Sequence, residues 1–188
     1  MSNFYRGIRA ASTFIEAVDL CQDCDPAIIS QYKAEARVLR AYYYYNLMRS
    51  FGPVILLGET PIPADADLDA LGLKRNSIDE VAAYITSELD IAAADLDGVS
   101  FTGNNAGRMS TPFAMAIKEQ TLLFAASPLF NGNTDYADFI GQDGENLIPQ
   151  NYDVNKWKAA ADAAKAFIDE YVPNTYSLYE EFNEDGSY

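Results

Sequence analysis

The chain has 188 residues, 28 of them Asp or Glu against 13 Lys or Arg, giving a formal net charge of −15, and it contains no histidine. That charge, with no Lys/Arg cluster to offset it, argues against nucleic acid as a partner and against a basic helix lying on a membrane surface. Without histidine there is no Ser–His or Cys–His nucleophile arrangement, and carboxylates are the catalytic groups left in quantity.

Apolar spacing predicts five helices. In the first, Phe4, Ile8, Ala11, Ile15 and Val18 recur by fours and threes along one face, and the segment ends near Cys21–Cys24. Asp25 followed by Pro26 reads as an N-cap with proline at the first helical position, opening a second helix that Gly52-Pro53 stops. This helix carries two apolar stripes: Ile28, Tyr32, Ala36, Leu39, Tyr43 and Leu47, and then Ala34, Val38, Ala41, Tyr45 and Met48. A helix with two apolar faces needs cover from two sides, as in a stack of helical layers. Tyr42 to Tyr45 point all round such a helix and are read as packing residues more than as a sugar-stacking platform. Arg37 and Arg40 share a face, which suits an ion pair with a carboxylate of the neighbouring helix better than an anion site.

The third helix opens with the capping box Ser77-Ile-Asp-Glu80 and buries Ile78, Val81, Ile85, Leu89, Ala92 and Leu96. The fourth begins at Thr111-Pro112 and is apolar nearly all round to Ala126, so it is expected to be buried. The fifth, after Asp153, sets Trp157, Ala161, Ala164, Ile168 and Tyr171 on one side and Lys156, Lys158, Asp162 and Lys165 on the other, and Pro173 ends it. Long connections over 52–76, 97–110 and 131–152 separate these elements, the first containing a short aliphatic run from Val54 to Leu57. The fold class predicted is all-α: stacked helix pairs of tetratricopeptide-repeat type with long irregular loops. Residues 1–188 are read as a single helical-repeat domain. Its fifth helix is expected to need a stacking partner after residue 188, so the chain is read as a fragment of a longer protein.

Other motifs carry less. Cys21 and Cys24 form a lone CxxC with no further Cys or His to complete a zinc site and no βαβ pattern around it; ordinary thiols and a local disulfide remain the two main readings. Asn131, Asn133 and Asp135 match the first ligand positions of a calcium loop, but Tyr136 and Gln142 stand where glycine and a bidentate Glu belong. The Gly103–Gly107 loop lacks the strand that precedes a phosphate-binding loop. No cofactor and no metal site are expected, and most carboxylates fall on solvated helix faces or in loops, where a glycosidase pair does not form.

Two segments nevertheless resemble a known family. KAEARVLRAYYYYNLMRSFGPVILL, Lys33 to Leu57, is similar to the signature helix of SusD/RagB proteins, with Glu35, Ala36, Arg37, Arg40, Ala41, Tyr44 and Phe51-Gly52-Pro53 at the matching places. GRMSTPFAMAIKEQTLLFAASPLFNGN, Gly107 to Asn133, resembles the family's Gly-Arg-x-Thr helix ending in Ala-Ser-Pro-Leu-Phe-Asn-Gly. Shorter matches are Tyr5 to Val18 and the Trp157-x-x-Ala160-Ala161 helix, although Ser12 stands where the family usually has Asn. The resemblance implies an outer-membrane lipoprotein, without enzymatic activity, that binds an oligosaccharide or other nutrient and acts with a SusC-like TonB-dependent transporter. Its link to the membrane would be a lipid anchor outside this chain. It also places ligand contacts near the start of the first helix, at Asn3 and Tyr5. The alternative reading is a helical-repeat scaffold for protein–protein interaction.

Overall fold

In a computed structural model, which describes residues 2–181 apart from Ala64, Leu68 and Asp69, five α-helices follow one another: α1 (Ser2–Ala17), α2 (Pro26–Phe51), α3 (Ile78–Asp95), α4 (Thr111–Ala126) and α5 (Val154–Tyr171). Each packs on the next, and α2 also meets α4. The expected architecture of stacked helix pairs is therefore the observed one. No β-strand forms among the described residues, where Ile140 and Asn146 make a single isolated antiparallel bridge.

Local signals set the helix starts. Asp25 accepts a hydrogen bond from the Ala27 N–H at 2.9 Å with Pro26 in the first turn, and Ser77 and Glu80 form the reciprocal capping box. Ser110 caps α4 and Asp153 caps α5. Each cap satisfies N–H groups that have no partner within the helix. At the turn before α2, Cys21 and Cys24 are joined by a disulfide.

The core lies along α2 and α3. Every member of the second α2 stripe is buried, as are all six residues of the α3 stripe. Of the first α2 stripe only Ala36 and Leu47 are buried, while Ile28 and Tyr32 are exposed. The reason is geometric: α1 covers only part of that face. The two helices approach closely at Gly7, where an added Cβ would lie 2.6 Å from the Tyr43 ring.

One expectation needs correction. Helix α4 is not buried all round; Ala114, Ile117, Thr121, Ala125 and Ala126 are buried, but Leu123 is 44% exposed. A helix in a stack has neighbours on two sides only, so uniform hydrophobicity does not ensure uniform burial. The aliphatic run Val54–Leu57 is extended but belongs to no strand, because side chains take the place of a partner strand. The Tyr5 hydroxyl donates to the Ile55 carbonyl at 3.0 Å and accepts from the Ile55 N–H at 3.1 Å. The Leu57 N–H donates to the Tyr44 hydroxyl and the Leu56 N–H to the Asn76 side chain, each at 3.0 Å.

Trp157, Ala161 and Ile168 of the α5 stripe face outward, whereas Ala164 and Tyr171 are half-buried and the Tyr171 hydroxyl donates to the Met115 sulfur of α4 at 3.6 Å. Ala160 is the only buried residue of that helix, while Trp157 is 37% and Ile168 55% exposed.

Candidate functional site

The residues that hold the extended segment also build a cleft. Tyr5, Ile8, Arg9 and Ser12 recur at the three- and four-residue steps of one helical face and form its α1 wall. Opposite them runs a strap, residues 55–63, with Ile55, Leu57, Pro61 and Ile62 toward the cleft. The open cleft between them has a volume of about 510 Å³, the size of a small-molecule site.

Four side chains secure the strap through its backbone. Tyr5 takes Ile55, Tyr44 takes Leu57, Arg40 donates to the Glu59 carbonyl at 3.5 Å, and Arg9 donates to the Ile62 carbonyl. An unpaired backbone group costs free energy when water is excluded, so these bonds let an irregular segment pack against helices. Burial pushes the Tyr44 phenol up to about 12, against the lowering effect of the Leu57 N–H. Tyr5 is raised for the same first reason, burial.

Beneath the cleft lies a buried charge cluster. Arg40, fully buried, reaches Glu88 of α3 at 2.5 Å and the Ser12 hydroxyl of α1 at 3.1 Å. Arg37 reaches the second oxygen of Glu88 at 2.7 Å. The expected use of the Arg37/Arg40 face, pairing with a neighbouring helix, is thus what the fold shows. Burial alone would lower the pKa of Arg40, but its hydrogen bond to Glu88 and the surrounding negative groups leave it raised. Arg40 Nε and the Tyr84 hydroxyl are buried with no hydrogen-bond partner among the described residues. A second ion pair, Glu35 with Arg108 at 2.8 Å, joins α2 to the loop before α4.

The two ligand positions expected near the start of α1 separate. Tyr5 is in the cleft wall, its hydroxyl committed to Ile55, whereas Asn3 is exposed and outside the lining. Two residues apart on a helix is a turn of about 200°, so both cannot face one cleft. Arg6, Arg9 and Ser12 line the cleft and are additions to the sequence reading; their three- and four-residue spacing from Tyr5, Ile8 and Ser2 was the signal available.

Among the described residues no group of three Cys, Asp or Glu side chains converges to hold a metal ion. The Asn131 side chain is occupied otherwise, donating to the Asp153 carbonyl at 2.9 Å and accepting from the Asp153 N–H at 2.8 Å, which fixes the start of α5. No described helix is long and apolar enough to cross a membrane.

Known proteins share this fold. The chain is 28% identical to a protein of known structure named BT4246, with a TM-score of 0.81 over 89% of this chain and 29% of that one. A laminarin-binding SusD-like protein is 25% identical, with a TM-score of 0.58 over 67% of this chain and 26% of its own. A SusD homolog from Bacteroides thetaiotaomicron shares the fold at 23% identity, with a TM-score of 0.69 over 95% of this chain and 30% of that one. The chain spans less than a third of the length of these relatives. No curated protein sequence matches it. A family model described as "Starch-binding associating with outer membrane" matches residues 1–104, more than half of the 188. The chain belongs to the SusD-like family.

Proposed function

We propose that this chain is the helical-repeat part of a non-catalytic protein that binds glycan or another nutrient at the outer membrane and works with a SusC-like TonB-dependent transporter. The observation that carries the reading is the position of the cleft: its described lining falls between Ser2 and Leu73, inside the segment that matches the starch-binding family. A tyrosine, two arginines, two serines and a threonine supply its polar side chains among apolar walls. Such a set hydrogen-bonds sugar hydroxyls and covers sugar C–H faces, whereas glycoside cleavage takes two carboxylates across the bond. Tyr5 is the ligand contact on the wall, and Asn3 the contact for a ligand that extends past the cleft mouth.

Affinity electrophoresis of the protein through gels containing soluble starch, laminarin and other glycans tests the reading. The expected result is retardation by at least one glycan, reduced by Tyr5→Ala. Failure to bind any glycan or peptide, together with failure to co-isolate with a barrel transporter, would overturn it.

The outward part of the α5 stripe supports the expectation that residues 1–188 belong to a longer protein, in which a further helix covers Trp157 and Ile168. The same stripe favours the second reading, a scaffold that docks a separate protein. Cross-linking from α5 distinguishes them: intramolecular products fit the first, intermolecular products the second.

A further inference from the structure

The cleft differs in charge from the chain that forms it. Acidic residues outnumber basic ones 28 to 13 overall, yet the described lining holds two arginines, Arg6 and Arg9, and no Asp or Glu. Arg9 uses an N–H of its fork on the Ile62 carbonyl, and Arg6 has no hydrogen-bond or ion-pair partner among the described residues. Below the wall, Arg37 and Arg40 share the one carboxylate of Glu88, so this group of three keeps an excess positive charge next to Ser12. Acidic groups stand outside the lining: Glu59 is exposed within electrostatic range of Arg40, and Asp65 is exposed further along the loop.

The geometry points to an acidic oligosaccharide, one whose sugar rings carry carboxylates, as the ligand of this cleft. This rests on the cleft being the glycan site proposed above. A guanidinium presents two parallel N–H groups at the spacing of carboxylate oxygens, and Arg6 has its fork free for that purpose. Ile55, Leu57, Pro61 and Ile62, all half-buried, offer apolar surface to the ring faces. The overall negative charge of the chain does not oppose this at contact range. At physiological salt, exposed charges are screened beyond about 8 Å, so the arginines in the lining dominate over distant carboxylates.

The experiment compares galacturonate-, glucuronate- and mannuronate-containing oligosaccharides with their methyl esters and with neutral glucans, by calorimetric titration of the protein at low and physiological salt. At least one acidic oligosaccharide is expected to bind about tenfold or more tighter than its ester, the discrimination of one charge-assisted hydrogen bond. Arg6→Gln, with an unchanged melting curve, is expected to bring acid and ester within about threefold of each other. Esters or neutral glucans that bind as tightly as every acid would overturn the charge preference and leave glycan binding intact. Absence of binding by acids, esters and glucans alike would overturn the glycan reading of the cleft and this inference with it. An acid preference that survives both Arg6→Gln and Arg9→Gln would remove the assignment from this cleft.

Discussion

Replacing Glu88 by glutamine is the sharpest test of how the stack is held together. Glu88 has a side chain 3% exposed and accepts from Arg40, at 0%, and from Arg37, at 18%. Glu88→Gln keeps the shape but leaves Arg40 as a buried cation without a counter-charge, a class of change that costs about 3–5 kcal/mol. Three features move the value to the lower end. Arg40 keeps its contacts with the Ser12 hydroxyl and the Glu59 carbonyl, glutamine still offers one acceptor oxygen, and Arg37 regains water. A loss of about 3 kcal/mol follows, which for a chain of this size lowers Tm by roughly 6–12 °C. Urea and thermal unfolding of wild type, Glu88→Gln and the double variant Arg40→Met/Glu88→Leu provide the assay. The double variant is expected to recover most of the loss, since an apolar pair of similar volume replaces a buried ion pair at little cost. A Glu88→Gln loss below about 1 kcal/mol would refute the reasoning, because it would mean that water reaches Arg40 in the folded state.

Three further outcomes can be checked in the same way. Cys21→Ser/Cys24→Ser opens a four-residue disulfide loop and is expected to cost about 2 kcal/mol by the chain-entropy relation, read from urea midpoints with and without reductant. Gly132→Ala combines a φ of +77° with a Cβ placed 2.6 Å from the Tyr152 backbone nitrogen, and should cost about 2–3 kcal/mol in thermal unfolding. Alkaline pH should destabilise the fold: the Tyr44 phenol loses its proton near 10 when unfolded but near 12 when folded, so the native state binds the extra proton in that window. Stability present below pH 10 is lost as pH climbs toward 12, by about 2–3 kcal/mol from this group, and Tyr44→Phe should make the decline shallower in urea titrations at stepped pH.

Much of the fold was legible because its determinants are local. Asp25-Pro26, the Ser77/Glu80 box, the Gly52-Pro53 stop and the α3 stripe each act within one or two turns, and each stands where its residues predict. Arg37 and Arg40 were readable as an ion-pairing face because charges on a two-faced buried helix need partners, although nothing in the sequence identifies Glu88 as the partner. The near all-round hydrophobicity of α4 was misleading as a guide to burial, since a helix in a stack is covered only where another helix lies. The cleft was half legible. Its α1 wall follows from the spacing of Tyr5, Ile8, Arg9 and Ser12, but its other wall comes from residues about 50 positions later, brought in by side chain–backbone bonds that no periodicity encodes. Helical rotation also separates Tyr5 from Asn3, a distinction that proximity in sequence conceals.

The nearest-neighbour order of the helices gives the protein an inbuilt optical gauge. Trp157 is the chain's single tryptophan and sits on α5, which packs on α4, while the cleft lies on α1, which packs on α2. Indole emission therefore reports on one end of the stack alone. A sugar entering the cleft should leave it unchanged, whereas a helix or partner settling on α5 should shift it to the blue and shield it from acrylamide. Loss of helical ellipticity that precedes or trails the indole signal would show from which end the stack comes apart, a resolution that a tryptophan at its centre would not provide.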